Sequence, residues 1–192
     1  MNARLHVPAA LAVASLLLVG CGNDPLPTGN PAALGRPGET SRFIAGEGAV
    51  SFRYPVTWLP QRFAGPRLAE LGSGSALVAI YAYPRTDLGT APAAIEASRR
   101  RLLASLHRRD PGFLVTGSAL TRVDGAPAVQ VSGRGLIGGA PMVTRATHVY
   151  KPRVEWVIDA YAVPDRFAAA NRIAFAPLLA SIRLANRVGA RG

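Results

Sequence analysis

The chain of 192 residues has one cysteine, Cys21. No disulfide can form within it, and a metal site built from several thiolates is excluded, so the fold must be held by packing. Lysine is almost absent: of 22 basic residues only Lys151 is not arginine. Acidic residues number 11, which leaves a net charge of +11 at pH 7. Histidine is scarce too. His6, His107 and His148 share no His-x-x-x-His spacing, so no histidine metal site is expected. No nucleophile-elbow pattern is present, and a Ser-His-Asp triad built around His148 has nothing to support it. These absences point to a protein without catalytic residues, metal or cofactor, with a hydrolase as a remote alternative.

The only long apolar run starts near Val7, follows Arg4, contains no acidic residue and ends at Leu18-Val19-Gly20-Cys21. A basic start, a short apolar core and small residues at its end describe a secretory signal, too short to span a bilayer. The lone cysteine placed directly after Val19 and Gly20 resembles the lipobox of bacterial lipoproteins. That resemblance implies cleavage between Gly20 and Cys21 and lipidation of Cys21. Several acyl chains on one residue make a stable anchor, whereas one chain binds only marginally. Cleavage by the ordinary signal peptidase is the alternative. The expected location is the extracytoplasmic face of a bacterial membrane, and Gly22 gives no Asp-type retention signal.

An arginine-rich chain invites a nucleic-acid reading. Export argues against it, as does the lack of aromatic residues interleaved with basic ones. Attraction to anionic headgroups or wall polymers near the anchor accounts for the charge, and so does a scattered positive surface with no partner.

Residues 1–20 read as signal and 21–47 as a tether. In the tether Pro25, Pro27, Pro31 and Pro37 alternate with Gly29, Gly35 and Gly38, with no apolar period. Residues 48–185 form one α+β domain and 186–192 a disordered tail. Val50–Tyr54 alternates as a half-buried strand, Pro55 ends it, and 76–83 is a continuous apolar strand. A helix spans 90–110, with Thr90 as cap and Pro92 in the first turn. Ala91, Ile95, Ser98, Leu102 and Leu106 form its buried stripe, and Glu96 pairs with Arg100. Four strands at about 113–123, 128–137, 142–150 and 154–163 follow as hairpins, and Pro164 opens a last helix that Pro177 interrupts. The fold class is therefore a twisted antiparallel sheet of about six strands with helices packed on it.

The order of parts, and the residues Phe52-Arg53-Tyr54-Pro55-Val56-Thr57-Trp58, the turn at Gly125-Ala126-Pro127 and the closing Ser181-Ile182-Arg183, carry a resemblance. They are similar to the fold shared by the PsbP protein of photosystem II, the Mog-type Ran-binding protein and bacterial lipoproteins of the LpqN and DcrB kind. The resemblance implies an α/β/α sandwich in an accessory or binding protein, and no metal-binding residue carries over.

Gly133-Arg134-Gly135-Leu136-Ile137-Gly138 has the letters of a dinucleotide loop but runs along a strand into a hairpin, so its glycines are expected to serve turn geometry. If that hairpin is tight, Arg134 faces Arg145 across the strands, and the two bind an anionic ligand unless Asp159 comes opposite Arg145. Two functional readings follow. One is an anchored accessory module that docks another envelope protein through exposed aromatics such as Trp58 or Tyr83. The other is a binding or carrier module for an anionic lipid or glycan, using Arg134 and Arg145 or the space between helix and sheet.

Overall fold

The computed structural model describes residues 39–86 and 89–188. Gly20, Cys21 and the signal lie outside the described residues. Among those described, no helix is long and apolar enough to cross a membrane.

Among the described residues, ten strands form two antiparallel sheets. The larger contains β3 (Leu59–Arg62), β4 (Arg67–Ser73), β5 (Ala76–Pro84), β6 (Leu114–Val123), β7 (Ala126–Ile137), β8 (Ala140–Lys151) and β9 (Val154–Ala162). Its spatial order is β3-β4-β5-β9-β8-β7-β6. The smaller places β2 (Val50–Pro55) between β1 (Thr40–Ala45) and β10 (Arg183–Leu184). On one face of the large sheet lies helix α1 (Pro92–Arg109). The small sheet packs on the other face with α2 (Pro164–Ala170), a π-helical turn (Asn171–Phe175) and α3 (Ala176–Ser181). This is the expected sandwich, with helices on both sides of an antiparallel sheet.

The main core fills the second interface. Trp58 meets Phe175 edge-on at 5.7 Å, Phe43 lies 5.4 Å from Phe52, and Trp156, Ile158, Val78 and Ile80 form the sheet's side. Aromatic pairs in this arrangement add to the burial of their surface. Trp58 is 1% exposed, which removes it as a docking aromatic. The turn after Pro55, closed by the Trp58 N–H donating to the Pro55 carbonyl, carries the indole inward.

The domain starts earlier than residue 48. β1 lies inside the segment read as tether, because Phe43 and Ala45 are buried while Arg42 and Ile44 are exposed, a period-two pattern paired with β2. β3 and β4 were also hidden from the sequence. β3 is a four-residue edge strand that tolerates Pro60, and a bulge at Leu68 breaks the alternation of β4. At α1, Ala91 occupies the capping position and no side chain caps the helix, so Thr90 does not serve. Pro92, whose missing N–H would be unpaired there in any case, opens it. Beyond the last strand, Val188 packs on the core, so the start of the expected tail belongs to the domain.

Candidate functional site

The site follows from how α1 meets the sheet. Ile95 near its N-terminus is buried against Val129, Val131 and Tyr150, whereas Leu102, Leu103 and Leu106 are only partly covered. The C-terminal half of the helix therefore stands over a hollow of about 390 Å³, within the size range of small-molecule sites. A second hollow of about 300 Å³, lined also by Ser98, Arg101 and Tyr150, shares Arg85, Leu102 and Glu155 with it.

The floor comes from strand alternation. Residues of β9 at 155, 157, 159 and 161 point toward α1, while Trp156, Ile158 and Ala160 point into the main core. Asp159 is paired across the sheet with Ala79 on one side and Ala146 on the other. Two methyl groups leave its carboxyl at the bottom of an open space. Burial pushes its pKa up, against the pull of His148 and Arg109. Nearby, His148 Nδ1 lies 2.8 Å from Glu155 Oε1, and Arg85 donates two hydrogen bonds to Glu155 Oε2 at 2.8 and 2.9 Å. Burial acts to raise the Glu155 pKa, but the hydrogen bonds from His148 and Arg85 outweigh it and hold the carboxyl low. Burial also lifts Tyr161 and Tyr150, each to about 12, so both stay protonated hydroxyls. Tyr83, which also lines the hollow, stacks on Tyr81 at 6.1 Å.

Phe113 closes one end of the hollow and explains the glycine-rich motif. A Cβ on Gly133 would stand 2.3 Å from the Phe113 ring and 2.8 Å from the Leu114 carbonyl oxygen, and one on Gly135 would stand 2.9 Å from the ring. The first two glycines of the motif thus seat an aromatic ring. Turn geometry belongs to Gly138 and Gly139, whose φ values are 59° and 81°. Gly133→Ala is expected to destabilise by about 1–3 kcal/mol, the usual cost of overpacking, as read from the urea midpoint. Gly117→Ala, where an added Cβ meets nothing within 4 Å, is the neutral control.

The same turn corrects the arginine pair. With two left-handed glycines it closes in two residues, pairing Ile137 with Ala140, and every partner moves by two positions from the expected register. Arg134 lies opposite Val143, and Arg145 lies between Ser132 on β7 and Ala160 on β9. The shift is even, so both arginines stay on one face, but they do not meet directly. The Arg145 guanidinium donates to the Asn171 side chain and lies over the Phe167 ring on the main-core side. Arg134 is exposed. Among the described residues, no group of three or more His, Cys, Asp or Glu is placed to hold a metal ion.

Sequence reasoning offered the space between helix and sheet as one alternative, gave His148 no functional role and considered Asp159 only as a partner for Arg145. It missed Glu155, Arg85 and Phe113. The alternation of β9 carried the signal for Glu155. Arg85 lies just past the end of β5 and had none.

No protein-family model matches the chain, and no curated protein matches it. Among solved structures the chain is similar to cyanobacterial PsbP (CyanoP) from Synechocystis sp. PCC 6803. The likeness has 12% identity, covers 87% of this chain and 98% of that one, and gives a TM-score of 0.56. A protein of Bacteroides thetaiotaomicron VPI-5482 matches at 10% identity over 74% of this chain and 47% of its own, with a TM-score of 0.50. LpqN, involved in cell envelope biogenesis of Mycobacterium tuberculosis, superposes at 13% identity over 77% of this chain and 85% of its own. Its TM-score is 0.40, too low to add to the argument. At these identities the likeness shows the fold alone, and the fold is PsbP-like.

Proposed function

We propose that the protein is a non-enzymatic binding module of the bacterial envelope, held at the extracytoplasmic membrane face through a lipidated Cys21. It carries a small amphipathic ligand beneath α1. The observation that supports this best is the hollow itself. An amphipathic helix whose leucines are only half covered lies over a cavity of about 390 Å³ with a carboxyl at its floor. Exposed apolar surface of this kind gains by acquiring an occupant. The lipobox resemblance of Leu18–Cys21 supports the anchor.

The test is mass spectrometry of the protein produced from its own signal in a bacterial host. The expected N-terminal peptide begins at Cys21 and carries acyl chains, and organic extraction of the folded protein releases a bound small molecule. Ala146→Leu, which fills the hollow beside Asp159, is expected to emerge empty. An unmodified Cys21 would remove the anchor, and an empty wild-type protein would remove the carrier.

A docking role for another envelope protein is supported by a different feature. β6 is the edge of the large sheet, and Leu114, Val115 and Leu120 on it are exposed, as is Leu136 on β7. Open, apolar edges invite strand addition.

A further inference from the structure

We infer that the occupant of the hollow beneath α1 is an uncharged, single-chain amphiphile whose hydroxyl head donates a hydrogen bond to Asp159; this rests on the binding reading above and names its ligand class.

The head group follows from the charges around the hollow. Glu155 is satisfied by Arg85 and His148. Asp159 shares the lining of the hollow with His148 and Arg109, whose charges draw on its carboxyl in that order. Arg145, the other cation beside the hollow, directs its guanidinium to Asn171 on the far side of the sheet. The carboxylates and guanidinium groups of this hollow therefore balance, and Arg101, which lines the second one, donates to Ser98 Oγ. A phosphate or carboxylate head would be set against Asp159 with no uncommitted cation but Arg109. An ammonium head would leave Arg109 in repulsion. Bringing an unbalanced charge into a partly dry site is costly. Asp159 accepts no hydrogen bond within the described residues, and its alanine neighbours offer none. A ligand hydroxyl supplies the missing donor without altering the charge.

The tail follows from shape. Two hollows lie under the helix, and Leu102, Arg85 and Glu155 line both. The apolar walls of the larger are Leu102, Leu106, Val131 and Phe113, on which an extended hydrocarbon chain buries apolar surface.

Calorimetric titration of the full mature chain, with Cys21→Ser so that no acyl chain competes, uses three twelve-carbon probes below their micelle concentrations. These are 1-lauroylglycerol, laurate and dodecylammonium. The expected result is one 1-lauroylglycerol bound per chain, with both charged probes at least roughly 10-fold weaker. Removing a hydrogen bond to a charged group should show as an affinity loss of roughly 10- to 100-fold in Asp159→Ala. Asp159→Asn keeps an acceptor oxygen without the charge and should fall between wild type and Asp159→Ala, which separates loss of the acceptor from loss of the fold. Laurate or dodecylammonium binding as tightly as 1-lauroylglycerol would overturn the uncharged head while leaving the carrier intact. Unchanged affinity in Asp159→Ala would overturn the role of Asp159. If none of the probes binds, the ligand class is wrong. The native extract described above then decides independently whether the hollow carries anything else.

Discussion

Asp124→Ala is expected to lower the unfolding free energy by roughly 3 kcal/mol, because it strands the one lysine of the chain in the protein interior. Lys151 is 8% exposed, and its ammonium donates to Asp124 Oδ2 at 2.9 Å and to the Leu184 carbonyl at 2.7 Å. Asp124 also accepts from the Leu184 N–H at 3.0 Å. One carboxylate thus joins the β6–β7 turn, the end of β8 and the closing strand β10. Alanine adds strain as well, since Asp124 has φ = 48°, a conformation Asp and Asn tolerate better than most residues. Asn should therefore cost less than Ala, and Lys151→Met added to Asp124→Asn should restore part of the loss by removing the orphaned charge. Urea unfolding of the four proteins reads all of this. The pH dependence has a definite sign. Burial acts to raise the Asp124 pKa, but hydrogen bonds from Lys151 and Leu184 outweigh it and hold it below the ordinary 3.8. A lowered carboxyl pKa gives stability that is fully present above 3.8 and lost as pH falls through the folded value. Wild type should lose this contribution in acid below about pH 4, and Asp124→Asn should show a correspondingly flatter acid limb.

This residue also marks where the sequence could be read and where it could not. Asp124-Gly125 announced a hairpin, and the four long strands after α1 were found with ends displaced by only a few residues, because alternation and turn residues agreed there. That Lys151 stands alone among arginines was visible, but its partner 27 positions away was not. Long-range ion pairs leave no local pattern. β1 was hidden by the prolines and glycines preceding it, and β4 by its bulge. Little of the candidate site was legible. A space between helix and sheet could be named as one alternative, His148 was given no role, Asp159 was considered only as a partner for Arg145, and the expected facing of Arg134 and Arg145 failed on the placement of a single turn. Hairpin register depends on whether Gly138-Gly139 or Gly139-Ala140 closes the loop, and composition alone permits both. Phe113 over Gly133 and Gly135 is the instructive case. The glycines were noticed as a motif, but the reason for them was a side chain some 20 residues away in the sequence.

Truncation after Arg183 is expected to unfold the protein or leave it marginal, while truncation after Ala185 costs only about 1 kcal/mol, through loss of the partly buried Val188. The contrast rests on two residues at the end of the domain. Leu184 is 6% exposed, and its side chain closes the main core. Its backbone serves both members of the Asp124–Lys151 pair. The Ala185 carbonyl accepts from Trp156 Nε1 at 3.0 Å, and the Ala185 N–H donates to the Ala49 carbonyl at 2.8 Å. Deleting them exposes a leucine-sized piece of core, worth about 1.5–3 kcal/mol. It also leaves the Trp156 indole N–H and the Lys151 ammonium short of acceptors, at about 1–3 kcal/mol each. The total, roughly 4–9 kcal/mol, is comparable to the whole stability of an ordinary domain. Near-UV circular dichroism tests this directly, since Trp156 is fully buried and packed at the centre of the sheet. The 185-residue chain should keep the native aromatic signal and the shorter one should lose it. An intact signal in the shorter chain would mean that β1 and β2 close the core without β10, and that the Asp124–Lys151 pair is held by the hairpins alone.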